Sequence, residues 1–229
     1  MRIARRGKIV GIAVLACSGI AAGAVLAGAA APAPDAPGAI AGKVSGPDSG
    51  RPWVVYVEKV AAAAAAATAP KRGEILQKDR KFKPGAVVVR AGAAVDFPNR
   101  DKFYHNVFSP TPGSEFDLGL YRDGASKSAV FKNAGEVDVY CNIHPEMVAK
   151  VLVVENDFFV EVGADATYRI AGLPPGSYTT VAWSPSLEPE RRTVDVRPGA
   201  ETKADWAITR TRAPATHVKK DGSAYGRYK

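Results

Sequence analysis

The heptapeptide CNIHPEM sets Cys141, His144 and Met147 three residues apart, in a chain of 229 residues with 3 His, 2 Cys and 2 Met. A thiolate, an imidazole and a thioether on one short loop form a soft donor set. A Cys thiolate, two neutral imidazoles and a weak axial Met describe a mononuclear copper electron-transfer centre. The second imidazole has one candidate upstream, His105 in YHNVFS, because the remaining histidine, His217, lies in the polar C-terminal stretch. Zinc suits the set less well. Structural zinc takes Cys and His alone, and catalytic zinc keeps a place for water beside non-thioether ligands. A c-type haem needs Cys-x-x-Cys-His and a dinuclear copper centre needs a second loop cysteine; the sequence has neither. It also has no Ser-His-Asp or Cys-His-Asn arrangement, no P-loop and no dinucleotide-binding Gly pattern. The chain therefore reads as a carrier and not as an enzyme.

Each of these residues alone has an ordinary explanation. A His in a strand is usually packed or solvated, a Met that opens an apolar strand is usually core, and a buried Cys is usually a small hydrophobe. The elements that carry them make the coincidence pointed. Strand side chains alternate between faces, so Val137, Val139 and Cys141 of EVDVYC share one face. Met147, Ala149, Val151 and Val153 of MVAKVLVV share another, and His105 lies with Val107. Both strands aim an apolar row inward, and each row ends in sulfur at the loop between them. A β-sandwich capped at one end by His105, Cys141, His144 and Met147 follows.

The rest of the chain agrees with an all-β class. From Glu74, the runs EILQKDRKF, AVVVR, AAVDF, YHNVFS, SAVFK, EVDVYC and MVAKVLVV alternate with Gly-, Pro-, Asp- and Asn-rich breaks, the signature of short antiparallel strands. A second group follows residue 155: FFVEV, TYRIAGL, YTTVAW, RTVDVR and KADWAI, with turns at PPG (174–176) and RPG (197–199). Ahead of both lie a Pro- and Ala-rich linker (32–39), a strand pair (40–60) divided by the turn cluster SGPDSGRP, and a seven-alanine run (61–67). That run is too short and uncapped to favour helix over loop, so 61–73 is taken as a loop. Residues 209–229 read as a loose basic tail.

Residues 74–155 resemble the cupredoxins, a Greek-key β-sandwich family that includes plastocyanin, azurin and amicyanin-like proteins. FKPGAVVVRAGAAVDFPNRD looks like their second and third strands, HNV at 105–107 like their upstream ligand motif, and CNIHPEM like the short ligand loop of the amicyanin-like group. The pattern HNVFS, FDLGLY and CNIHPEM resembles exported members grouped with methylamine utilisation. The resemblance implies one type 1 (blue) copper ion held by His105, Cys141, His144 and Met147, with Asn106 tying the two ligand segments together. It implies single-electron transfer near the exposed edge of His144, between partners such as a periplasmic dehydrogenase and a c-type cytochrome. Glu146 departs from the pattern, placing a carboxylate where that group carries an apolar residue; with Lys150 nearby, it makes the expected docking face more polar. Residues 156–208 resemble a carboxypeptidase regulatory-like (transthyretin-like) β-sandwich through TYRIAGLPPGSYTTVAW. About 53 residues make a marginal core, so 40–60 is expected to complete this smaller sandwich, with the copper-binding domain inserted between. The competing assignment gives 40–60 to the copper-binding sheet. A different class of function, copper handling with the metal as cargo or recognition through the C-terminal sandwich, is the alternative.

The start of the chain has the form of a secretory signal: Arg2, Arg5, Arg6 and Lys8 precede an apolar run from Ile9 to Ala31 with Ala-x-Ala sites such as Ala27-Gly28-Ala29. The run is also long enough for an uncleaved anchor. Val14-Leu15-Ala16-Cys17 loosely resembles a lipoprotein box, but the apolar run continues past it. Taking 1–31 as a signal peptide leaves 27 basic against 23 acidic residues, so the formal charge of +8 gives no footing for nucleic-acid binding. Only Cys141 then remains, so the exported chain has no internal disulfide. A periplasmic location is the expectation.

Overall fold

The computed structural model describes residues 32–47, 52–60, 69–213 and 217–225. The expected signal peptide and the alanine run lie outside the described residues. Among the described residues there are strands, turns and no helix, and the all-β class holds. The strands are β1 (Gly38–Ser45), β2 (Val54–Val57), β3 (Gly73–Glu74), β4 (Leu76–Lys78), β5 (Lys81–Lys83), β6 (Ala86–Arg90), β7 (Ala93–Pro98), β8 (His105–Ser109) and β9 (Phe116–Tyr121). They continue with β10 (Ser126–Phe131), β11 (Gly135–Tyr140), β12 (Val148–Val154), β13 (Phe159–Glu161), β14 (Thr167–Leu173), β15 (Gly176–Ser184), β16 (Leu187–Val196), β17 (Glu201–Lys203) and β18 (Trp206–Ala207).

Two sheets enclose the core beneath the ligand loop. One runs β6-β12-β11-β8-β9 and the other β10-β7-β3, with β4 and β5 forming a separate hairpin. Pairing of β6 with β12 is parallel; β11 is antiparallel to both β12 and β8. The core between these sheets contains Val137, Val139 and Cys141 from one arm and Met147, Ala149, Val151 and Val153 from the other, with Val107 of β8 beside them and Phe97 and Phe131 from the facing sheet. The run EILQKDRKF is not one strand. Asp79 and Arg80 take left-handed backbone angles (φ 57° and 54°) and turn it back as β4–β5, the geometry of a tight hairpin turn.

A second pair of sheets, β14-β1-β17 with β18 also on β1, and β13-β2-β15-β16, encloses Ile40, Trp53, Val55, Leu173, Leu187 and Trp206. Residues 40–60 do not form a hairpin: β1 and β2 belong to opposite sheets. The β2 side chains Val54, Val55 and Val57 are all buried, so β2 is an interior strand, flanked by β13 and β15. β1 instead packs tightly on the segment that follows β17, because a Cβ on Gly42 would run into the Ala204 carbonyl. Every strand that pairs with β1 or β2 lies after residue 155.

A third apolar layer joins the two sheet pairs. Val54 and Trp183 pack on Ala86, Leu152 and Val154; Leu152 and Val154 are the β12 positions facing away from the core beneath the ligand loop. Glu136 of β11 pins this layer. It accepts hydrogen bonds from Trp183 Nε1 (2.6 Å), Lys150 Nζ (2.7 Å) and Arg212 Nη1 (2.7 Å). Burial works to raise the Glu136 carboxyl, but the donors Arg212, Lys150 and Trp183 outweigh it, and the group sits below its usual value.

Candidate metal centre

Strand geometry brings the ligand candidates to one end of the sandwich. β11 ends at Tyr140, β12 begins at Val148, and these two residues are register partners, so 141–147 is a closed loop between paired strands. Inside it, Cys141 N–H donates to the Met147 carbonyl (3.2 Å) and Met147 N–H to the His144 carbonyl (3.1 Å). Ile143 N–H points at Cys141 Sγ (3.5 Å), a weak contact to sulfur. His105 opens β8 in the same sheet.

The ligand atoms of His105, Cys141 and His144 lie within 4.8 Å of one another. Nδ1 of His105 is 3.1 Å from Nδ1 of His144, and Cys141 Sγ is 3.9 and 3.8 Å from those two nitrogens. Met147 is fully buried in the same apolar cluster as Cys141. His105 and Cys141 are also at 0% exposure, while His144 is half-buried. Burial, and then the neighbouring His105, push the His144 imidazole below its ordinary value, so it is neutral at neutral pH and keeps a lone pair for a ligand. Cys141 is a free thiol.

A residue absent from the sequence reading orients His105. Nε2 of His105 is 2.8 Å from Asp101 Oδ2, and Asp101 is only 5% exposed. The same carboxylate accepts the backbone N–H groups of Asp79 (2.8 Å) and Arg80 (2.9 Å) from the β4–β5 turn. Burial works to raise the Asp101 carboxyl, yet the hydrogen bonds from Arg80, His105 and Asp79 outweigh it and leave it below the usual range. An ionised carboxylate only accepts, so His105 carries its proton on Nε2. Its Nδ1 lone pair then faces Cys141 and His144, the arrangement in which an outer carboxylate fixes a metal-binding histidine. The only sequence signal was an Asp four residues before the His.

Asn106 does not bond the ligand loop directly. Its Nδ2 donates to Asp117 Oδ1 on β9 (2.7 Å), and its Oδ1 has no hydrogen-bond partner among the described residues. Asp117 Oδ2 in turn accepts from Lys220 Nζ (2.6 Å), whose backbone N–H donates to Asn142 Oδ1 (2.8 Å). Glu146 is exposed, with Arg80 Nε at 4.0 Å. Lys150 lies away from that face: its Nζ is committed to Glu136 and Asp138 (2.6 Å). The exposed side of His144 instead meets Asp79, Arg80 and Phe103, whose ring centroid is 5.7 Å from that of His144.

No protein-family model matches the chain. Among characterised proteins, amicyanin-alpha of Methylorubrum extorquens is 37% identical over 76 residues, covering 32% of this chain; the chain spans 64% of that relative's length. Among solved structures, amicyanin from Paracoccus versutus is 28% identical with a TM-score of 0.34, covering 43% of this chain and 96% of that one. A purple cupredoxin from Nitrosopumilus maritimus is 22% identical with a TM-score of 0.32, covering 35% of this chain and 98% of that one. With the 37% identity to amicyanin-alpha and the paired sheets that carry the His-Cys-His cluster, this part of the chain has a cupredoxin-like fold.

Proposed function

We propose that the protein is an exported mononuclear blue-copper carrier that moves single electrons between periplasmic redox partners. The observation that carries this reading is the convergence of His105 Nδ1, His144 Nδ1 and Cys141 Sγ at the end of a rigid sandwich. The donor chemistry fits copper: Cys141 would supply a thiolate, His105 and His144 two imidazoles, and the buried Met147 a thioether. Bound there, copper would supply a one-electron couple between its two common oxidation states. The chain's part is to hold the ligands still. Asp101 keeps the His105 proton on Nε2, burial keeps His144 neutral, and the paired strands β11 and β12 fix the ends of the ligand loop. The low exposure of Cys141 and His105 excludes water from two of the three ligands. Electrons would leave by the half-buried edge of His144, where Phe103 offers an exposed ring and Arg80 and Glu146 offer opposite charges to a partner such as a c-type cytochrome or a dehydrogenase.

Residues 40–60 and 156–208 are proposed as a host carboxypeptidase regulatory-like sandwich into which 74–155 is inserted, supported by the pairing of β1 and β2 with later strands alone. The test of the metal reading is spectroscopic. Cu(II) added to the purified protein gives an intense visible thiolate-to-copper band that dithionite bleaches reversibly, and Cys141→Ser removes it. A colourless protein that binds Cu(I) alone, with no reversible couple, overturns the reading in favour of copper cargo.

A further inference from the structure

The C-terminal segment, expected to be solvated, is ordered against the ligand loop over residues 217–225. The His217 ring stacks on Tyr140, the residue before Cys141, with centroids 4.0 Å apart and planes 11° from parallel. Its Nε2 donates to the Pro145 carbonyl inside the loop (2.9 Å). The Tyr225 hydroxyl donates to the Cys141 carbonyl (2.6 Å) and lies 3.1 Å from His217 Nδ1. Between them, Lys220 reaches Asn142 through its backbone and Asp117 through its ammonium group. The segment has its own internal order: Gly222 N–H donates to Lys219 O (2.8 Å), Lys219 N–H to Ser223 O (2.9 Å), and Ser223 caps on Asp221. Upstream, Arg212 holds Glu136.

We propose that residues 217–225 form a strap over the metal centre, with His217, Lys220 and Tyr225 as positioning residues for its ligands; the proposal rests on the copper reading above. The loop's own backbone bonds tie Cys141 to Met147 and Met147 to His144, and among the described residues they do not use the Cys141 and Pro145 carbonyls. The strap satisfies both. It also joins the two ligand segments that Asn106 does not join alone. From β8, Asn106 donates to Asp117, Asp117 accepts Lys220, and Lys220 donates to Asn142 beside Cys141. A loop held at Cys141, Asn142 and Pro145 resists displacement of Cys141 and His144, and a centre that changes oxidation state needs that resistance in both states.

The test has a metal-free and a copper-loaded arm, so that the two readings fail separately. In the metal-free full chain, amide hydrogen exchange across 141–147 and the reaction of Cys141 with a chromogenic disulfide are measured, then repeated with residues 217–229 removed and with Tyr225→Phe and Lys220→Met. Tyr225→Phe speeds thiol modification about five- to tenfold, what losing one ordinary hydrogen bond permits, and the truncation speeds it further while the midpoint of global unfolding stays in place. In the copper-loaded arm, the same variants release copper faster and shift the reduction potential, effects that a merely structural tail would not produce. Unchanged exchange, thiol reactivity and potential in the point variants overturn the strap, and these variants decide the matter if the truncated chain does not fold. Absence of a thiolate-to-copper band in the full chain overturns the copper reading instead, with the metal-free arm still decisive for the loop contacts.

Discussion

Asp101→Ala isolates the contribution of the carboxylate beneath His105. Three donors lose their acceptor: two backbone N–H groups of the β4–β5 turn and the His105 ring. Asp79 and Arg80 are exposed, so water can replace the carboxylate there, and each of these bonds costs about 1 kcal/mol, as for an ordinary hydrogen bond exchanged for water. His105 is at 0% exposure, and an orphaned buried N–H costs about 1–3 kcal/mol. The imidazole escapes that cost by moving its proton to Nδ1, where the nearby Nδ1 of His144 accepts it. The expected loss of stability is therefore about 2–3 kcal/mol, a fall in unfolding midpoint of about 4–12 °C for a chain of this size. The larger effect is chemical. With the proton on Nδ1, the nitrogen that faces Cys141 is blocked, and metal affinity falls about 10- to 100-fold, as for other outer partners of metal-binding histidines. Nitrogen-15 shifts of His105 in the metal-free protein read the tautomer directly, and a competition titration reads the affinity. If the native protein already carries its proton on Nδ1, or if the variant keeps it on Nε2 with affinity within twofold, the reasoning fails.

Glu136→Ala orphans the buried indole N–H of Trp183 while Lys150 keeps Asp138, so a loss of about 2–4 kcal/mol is expected in urea unfolding. In the Trp183→Phe background the same change costs about 1–2 kcal/mol less; additive costs would show that the indole bond is not the source. Because the Glu136 carboxyl is held below its ordinary 4.5, its contribution is fully present above that value and is lost as pH falls through the lower folded value. Glu136→Gln should therefore flatten the acid limb of the stability profile, and an unchanged limb would contradict the assignment. Gly42→Ala drives a Cβ into the Ala204 carbonyl, so β1 must shift from its neighbours; a fall of more than about 2 kcal/mol is expected, within the range for overpacking, and a neutral substitution would show that the approach is loose.

The parts of this site that were legible in the sequence are those governed by local rules. Alternation placed Cys141 and Met147 on apolar rows of adjoining strands, and both rows lie in one core. The scarcity of His singled out His105 as the upstream partner. Pairing at long range was harder to read. Asp101 matters because an Asp-Arg turn more than twenty positions earlier presents two N–H groups to it, and no periodicity announces that contact. β1 and β2 read as a strand pair because both are apolar and a turn cluster divides them, yet strand propensity does not say which sheet a strand joins. The tail looked solvated because its residues are polar; its hold on the ligand loop comes from single hydrogen bonds and one stacked ring, which leave no hydrophobic pattern.

The seam between β2 and β13 has a thermodynamic consequence. Val57 N–H donates to the Phe158 carbonyl (2.9 Å), and Asn156 Nδ2 donates to the Val57 carbonyl (2.9 Å), so the chain leaves and re-enters at one spot. The excursion between them is about 100 residues, and closing so long a flexible loop costs about 4 kcal/mol of chain entropy. Either half, once folded, holds those ends together and spares the other that cost. An ion bound in the excursion would then reach β2 and β13 as a gain in their resistance to unfolding, with no contact needed between it and those strands.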